Sequence, residues 1–241
     1  MKRKFVLLAS MRTGSNLLNS YLNQYQGVVC YGEVFNPAFV GLEKQYLDKF
    51  GFARTDVARR DADPQGFLNL ISGVEADAVG LHMFPGHDGT ILETLLQDRS
   101  VRKLCLRRSI VHSFVSLQSA RKTDVWRTTN RDHNKHLPLE ERRIVFVPEE
   151  FERYRRKIDR FWHGVLTTLA DTGQEHFPLW YRELGSVATI NNAVSFIGLT
   201  QSRTELRDKI AKQNPEPLKD LVENWNEMVA YASRAGILHQ V

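Results

Sequence analysis

Two stretches of this chain carry side chains suited to holding a tetrahedral anion, and a carboxylate lies between them. The first is Ser10-Met11-Arg12-Thr13-Gly14-Ser15-Asn16, directly after the apolar residues 5–9. An amphipathic segment follows at once, with Leu17, Leu18, Tyr21, Leu22 and Tyr25 at helical spacing. A strand–loop–helix of this kind aims backbone N–H groups, hydroxyls and a helix N-terminus at one point. Arg12 adds a fixed charge and a planar fork of donors. The loop lacks the GxxxxGK[ST] pattern of triphosphate-binding loops, which argues against an ordinary ATPase.

The second stretch is Lys103-Leu-Cys-Leu-Arg107-Arg108-Ser109, another strand-to-helix junction, with Ser116 eight residues beyond Arg108. If the strand meets the helix obliquely, Arg108 and Ser116 converge on one phosphate. Two anion sites on successive crossings of one sheet imply a ligand with phosphate-like groups at both ends. Read alone, Arg108 and Ser116 are also compatible with ordinary surface positions.

Between these sites stands Glu33, just past the second apolar run and after Gly32. It sits where a sheet end collects ligands, which makes it a candidate general base if burial tunes its pKa. A structural role, capping Asn36 or pairing with Arg12, is the alternative. His82 is a second candidate base, at the end of a strand next to Met83 and Phe84, since an imidazole titrates in the useful range. A packed histidine explains that position equally, and His87, close behind, ranks after it.

Positioning these groups requires strands at about residues 5–9, 28–31, 78–84, 103–107 and 177–181. Helical patterns lie at about 15–25, 89–97, 110–120, 148–172, 186–197, 203–212 and 217–235. Strand–helix alternation predicts an α/β fold, three layers deep, with a mostly parallel sheet and helices on both faces. Residues 121–147 break the pattern: they are polar, basic and irregular, and read as a lid, an arm or a solvated loop. Residues 44–63 are also polar and read as a short helical excursion. There is no internal repeat, and the whole of 1–241 reads as one domain.

Composition sets the outer limits. The chain has 241 residues, 42% hydrophobic and 25% charged, as in a soluble globular protein. No apolar run approaches the ~20 residues of a membrane span. The basic residues Lys2, Arg3 and Lys4 precede an apolar run shorter than the ~7–15 residues of a signal peptide, so the first strand is the expected reading. Cys30 and Cys105 are the two cysteines, with no CxxC, so neither a disulfide framework nor a zinc site is expected. Buried reduced thiols in a cytoplasmic protein fit them. The net charge of +5 suits anionic ligands, and no nucleic-acid module is recognisable. The eight histidines show no metal-ligand spacing.

The ordered motifs resemble sulfotransferases that use 3′-phosphoadenosine 5′-phosphosulfate (PAPS). The stretch from Ser10 to Asn16 is similar to the family's 5′-phosphosulfate loop, and Leu106-Arg107-Arg108 through Ser116 to its 3′-phosphate motif. Tyr31-Gly32-Glu33-Val-Phe35-Asn36 resembles a segment of bacterial carbohydrate sulfotransferases of the trehalose and nodulation-factor type. Val79-Gly80-Leu-His82 falls where those proteins carry a Gly-x-Lys strand, so His82 departs from the pattern. Thr123-Asp-Val-Trp126 is similar to a Thr-x-x-Trp element after the 3′-phosphate helix. The resemblance covers roughly the first half of the chain and is loose beyond.

It implies that Arg12, Thr13, Gly14, Ser15, Asn16 and Leu17 hold the 5′ end of PAPS while Arg108 and Ser116 hold the 3′-phosphate. Arg12, Glu33 and His82 are the implied catalytic set. The acceptor would be a hydroxyl of a carbohydrate, lipid or small metabolite, with no metal required. Two other readings of the loops are an ATP-using kinase-like enzyme and a non-catalytic nucleotide-binding member of the fold. The late helix with Leu218, Leu221, Val222, Trp225 and Val229 is amphipathic and packs either on the core or in a homodimer.

Overall fold

The computed structural model describes residues 2–126, 137–207 and 217–240. Five strands form one parallel sheet: β1 (Arg3–Leu8), β2 (Val28–Cys30), β3 (Ala78–Met83), β4 (Val101–Arg107) and β5 (His176–Trp180), in the order β2-β3-β1-β4-β5. All five lie where apolar runs predicted them. In β1 the residues alternate faces with the period of two that a strand imposes. Val6 and Leu8 pack on one side and Phe5 and Leu7 on the other, each within its own buried cluster. A strand buried on both faces reads as a continuous apolar run, which is why this one was legible.

The helices are α1 (Ser15–Leu22), α2 (Lys44–Phe50), α3 (Val57–Ala62), α4 (Pro64–Ser72), α5 (Gly89–Gln97), α6 (Ile110–Thr123) and α7 (Leu139–Arg142). They continue with α8 (Pro148–Asp171), α9 (Val187–Ile197), α10 (Leu218–Leu221) and α11 (Trp225–Arg234). Helices α1 and α9 cover the Phe5–Leu7 face, and α4, α5 and α8 cover the other. A third cluster joins α6, the start of α8 and α11 through Phe114, Phe151 and Met228. Among the described residues no helix is long and apolar enough to cross a membrane. The two cysteines are buried, unbonded thiols.

Three expectations are corrected. The helix expected over 217–235 is broken: Val222 forms a parallel bridge with Ile144, whose N–H donates to the Leu221 carbonyl at 2.9 Å. Asn224 then accepts from the Phe146 N–H at 2.7 Å and donates to the Phe146 carbonyl at 2.9 Å, so this backbone pairs sideways and not along a helix. The helix expected over 203–212 is absent from its described part. There the Arg203 and Arg207 N–H groups donate to the side chains of Asn191 and Gln24, both at 2.9 Å, and residues 208–212 lie outside the described residues. The excursion at 44–63 holds two helices, and Asp63 caps a third, α4, by accepting from the Gly66 N–H at 2.8 Å. Of the irregular stretch 121–147, the first three residues end α6 and α7 lies near its far end, while 127–136 fall outside the described residues.

The strand order fixes where a ligand belongs. From β1 the chain crosses toward β2, and from its neighbour β4 it crosses the opposite way, toward β5. The carboxyl ends of β1 and β4 therefore flank a topological switch point, where open α/β sheets bind ligands. Arg12 follows one of these strands and Arg108 the other.

Candidate functional site

The loop from β1 to α1 is built under strain. Arg12 has φ 66°, a left-handed conformation uncommon for a side-chain-bearing residue. Gly14 has φ 89°, and a Cβ there would lie 2.6 Å from the Tyr181 ring. The Thr13 hydroxyl closes the turn by donating to the Ser10 carbonyl at 2.7 Å. No side chain caps α1. Its first N–H groups thus point into the site without the partner a capping residue supplies. Helices α4, α5, α6 and α9 are capped, by Asp63, Asp88, Ser109 and Ser186, whereas α2, α3, α7, α8, α10 and α11, like α1, have no side-chain cap.

Two guanidinium groups meet here. Arg108 donates from Nη1 to the Arg12 carbonyl at 2.8 Å and lies 4.1 Å over the Tyr181 ring. Arg12 donates from Nε to the Ser116 hydroxyl at 3.1 Å and from Nη1 to the Trp126 carbonyl at 2.7 Å. Arg12 thus links the two crossovers: its carbonyl meets Arg108 and its guanidinium meets the Ser116 hydroxyl. Burial, and then the charge of Arg108, lowers the Arg12 pKa to about 10, with Tyr181 acting in the opposite sense. Burial also lowers Arg108, against Tyr181 and Tyr154. Both stay charged at neutral pH, so the pair is a desolvated like-charge contact that a bound anion would relieve.

Thr13, Ser15 and Ser116 are buried, whereas Asn16 is exposed at the mouth of the cleft. The half-buried Leu17 side chain packs against the core cluster under α1.

Glu33 stands on the loop after β2 and shares a cleft of about 730 Å³ with Arg12, Ser15, Asn16 and Trp126. The cleft also contains Lys44, Arg54 and Glu43. Two devices fix the loop. Arg60 of α3, 2% exposed, donates from Nη1 to the carbonyls of Val34, Asn36 and Phe39 at 2.9, 2.8 and 3.1 Å. Gly41 packs so closely on the Glu33 backbone that a side chain there would overlap it.

The carboxylate has its own partners. Asn36 Nδ2 donates to Oε2 at 2.8 Å, and His87 Nε2 lies 3.5 Å from the same oxygen. His87 Nδ1 accepts from the Phe84 N–H at 3.3 Å, which leaves the ring proton on Nε2, toward Glu33. Burial would raise the Glu33 pKa, but the hydrogen bonds from His87 and Asn36, and then the charges of His82 and His87, hold it below the usual carboxylate range.

His82 is near this loop but enclosed: its backbone N–H donates to the Gly32 carbonyl at 3.1 Å, and its ring stacks on Phe84. It is fully buried in β3, opposite Leu7 of β1, and neither ring nitrogen has a hydrogen-bond partner. Burial lowers its pKa to about 4, against the attraction of Glu33. The structure thus links Arg108 and Ser116 through Arg12 ahead of α1, sets Glu33 in a cleft that Arg12 also lines, and buries the His82 ring in β3.

Sequence reasoning missed Tyr181 and Arg60, and it weighed His87 as a further candidate base without placing it beside Glu33. Tyr181 follows the last residue of β5, so the rule that led to Arg108 would have found it. No sequence signal marks Arg60, which is one of several arginines in a polar stretch.

No family model matches the sequence, and no curated protein matches it. Among solved structures, a sulfotransferase from Alicyclobacillus acidocaldarius is similar in fold, with a TM-score of 0.52 and 17% identity over 99% of this chain and 97% of that one. The likeness covers both chains almost end to end and speaks for the shared architecture.

Proposed function

We propose that this protein is a sulfotransferase that moves a sulfuryl group from PAPS to a hydroxyl of a carbohydrate, lipid or small metabolite. The observation that carries the reading is the tie between the two crossovers: Arg108 on the Arg12 carbonyl at 2.8 Å and Arg12 on the Ser116 hydroxyl at 3.1 Å, beside an uncapped helix start. The donor set fits the ligand. Two adjacent desolvated guanidiniums, a buried hydroxyl and free N–H groups suit a molecule with separate anionic groups better than a single phosphate. The fold shared with a sulfotransferase supports it at the level of architecture.

In this reading PAPS supplies an activated sulfuryl group and leaves as a bisphosphate. Arg108 and Ser116 hold the 3′-phosphate, and residues 13–17 hold the 5′ end through the start of α1. Glu33 takes the proton of the acceptor hydroxyl as its oxygen bonds to sulfur. Arg12 meets the negative charge left on the bridging oxygen. Little covalent work falls to the protein, and positioning with charge stabilisation carries the rate.

His87 and Asn36 keep the Glu33 carboxylate ionised and oriented, which assigns the base to Glu33 in preference to the enclosed His82. No metal is needed in this scheme, and the two buried thiols accord with a reducing, cytoplasmic setting.

The test is calorimetric titration with 3′-phosphoadenosine 5′-phosphate (PAP) and with AMP, followed by transfer from labelled PAPS to a panel of hydroxyl compounds. PAP should bind at least tenfold more tightly than AMP, and Glu33→Gln should lower kcat while leaving PAP affinity unchanged. Equal affinity for AMP, or no PAP binding at millimolar concentration, overturns the reading.

A further inference from the structure

A second cavity, of about 320 Å³, lies between α6, α8 and the turn after β3. It shares Met11 and Phe84 with the Glu33 cleft, so these two side chains stand between the cavities. Its floor is apolar: Met11, Phe84 and Phe114. Its rim is cationic, formed by Arg121 of α6 with Arg153 and Lys157 of α8. Arg153 and Lys157 are four residues apart and so share one face of their helix. Lys157 reaches over the turn, and its Nζ would lie 3.1 Å from a Cβ placed on Gly86.

The cations are not there to neutralise carboxylates. Among the described residues Arg121, Arg153 and Lys157 have no acidic partner within ion-pair distance, although the same helix pairs Arg155 and Arg156 with Glu152. The one carboxylate on the cavity wall, Glu150, accepts from the Gln118 side-chain amide. An apolar floor and a rim of three cations match one chemistry: a small molecule with an apolar body ending in a phosphate or carboxylate.

We propose that this cavity is a specificity subsite for the acidic end of the acceptor, seated on Arg121, Arg153 and Lys157 beside the Glu33 cleft. The assignment to the acceptor rests on the sulfotransferase reading. The preference for an acidic, apolar ligand rests on the cavity alone. The cavity size admits a bicyclic aromatic or a short acyl chain.

The probe pair is 1-naphthyl phosphate and 1-naphthol, titrated calorimetrically into the full-length protein saturated with PAP, so that the nucleotide site cannot take the probe. Naphthyl phosphate should bind at least tenfold more tightly than naphthol. The R153Q/K157Q double variant, which changes two exposed side chains, should lose at least tenfold in naphthyl phosphate affinity and keep its PAP affinity and denaturation midpoint. Equal binding of the two probes, or a double variant that binds naphthyl phosphate like the parent, overturns the subsite. Failure of PAP to bind overturns the sulfotransferase reading instead. In that case the titrations are run without PAP, and the double variant still decides whether the cavity selects an acid.

Discussion

The two crossovers at the switch point start from neighbouring strands and end differently. Leaving β1, the chain passes through Arg12 and Gly14 at positive φ and enters α1 with no side-chain cap. Leaving β4, it passes through Arg108 and enters α6 with Ser109 as an N-cap, accepting from the His112 N–H at 3.2 Å. A helix start satisfied from within has less to offer a ligand than one left open. The first crossover is thus suited to receive an anion through backbone dipoles, at some expense in strain. The second is a stable scaffold that contributes discrete side chains, Arg108 and, two turns on, Ser116. If the reading is right, the first should govern the rate and the second the choice of nucleotide.

Arg12→Ala is the most direct way to break this division. Loss of a cation that meets charge developing in the transition state should lower transfer by roughly 10²–10³-fold. Ser116→Ala should instead weaken PAP by about tenfold, the effect of one lost hydrogen bond to a charged group, with kcat little changed. Single-turnover transfer and PAP calorimetry on both variants separate the two. Arg12→Ala changing only PAP affinity would erase the contrast between the crossovers.

The two histidines around the end of β3 differ in partners and not in exposure. The buried His87 ring faces the Glu33 carboxylate, whereas the His82 ring nitrogens have no hydrogen-bond partner and its pKa is near 4 against an ordinary 6.5. Between those pH values the unfolded chain binds a proton that the folded chain refuses. Stability should therefore be full above about pH 6.5 and fall as the pH drops toward 4, by of order 3 kcal/mol if His82 acts alone. Urea midpoints at pH 7 and pH 4.5 would show the fall, and His82→Leu should flatten it. A midpoint equally pH-dependent in the variant would assign the acid sensitivity to other groups.

Gly14→Ala and Ser109→Ala compare the helix starts directly. At Gly14 an added Cβ meets both the left-handed φ and the Tyr181 ring, which should destabilise by about 1–3 kcal/mol and take PAP affinity with it. At Ser109 the lost cap should destabilise by about 1 kcal/mol and leave PAP binding intact. Denaturation curves with calorimetry on each variant test this. Equal losses of PAP affinity would mean that both starts serve the ligand.

Legibility in the sequence followed how local each signal is. The central strands were readable because burial on both faces makes them largely apolar, the edge strand β5 because Phe177, Leu179 and Trp180 keep it mostly apolar, and α5 because Ile91, Leu95 and Leu96 recur at helical spacing. The positions of Arg12, Arg108, Ser116 and Glu33 in the fold were readable because each follows a strand or lies a fixed number of residues beyond one. What failed were the non-local terms. The Val222–Ile144 bridge interrupts a helix by pairing residues far apart in the chain, and Asn191 and Gln24 hold residues 203–207 out of a helix with side-chain hydrogen bonds. The contact of His87 with Glu33 was not legible because it joins two separate loops, which no residue pattern displays. Arg60 was invisible because three carbonyls from a distant loop define its role.

The smallest effect expected is also the one that isolates Glu33. Hydrogen bonds from His87 and Asn36 stabilise the ionised carboxylate and so lower its pKa. If transfer needs Glu33 ionised, kcat/KM should fall on the acid side only below the ordinary carboxylate range. His87→Ala removes a donor to the charged form, so the Glu33 pKa rises and the acid limb moves to higher pH. At neutral pH the carboxylate remains ionised in either case, and the rate should change by less than about tenfold, since each unit of pKa corresponds to about 1.4 kcal/mol. Asn36→Ala should move the limb the same way. A merely structural role for His87 would lower activity without moving the limb. An acid limb that stays in place in both variants, and in Glu33→Gln as well, would mean that another group sets it and that the open side of the molecule takes its proton elsewhere.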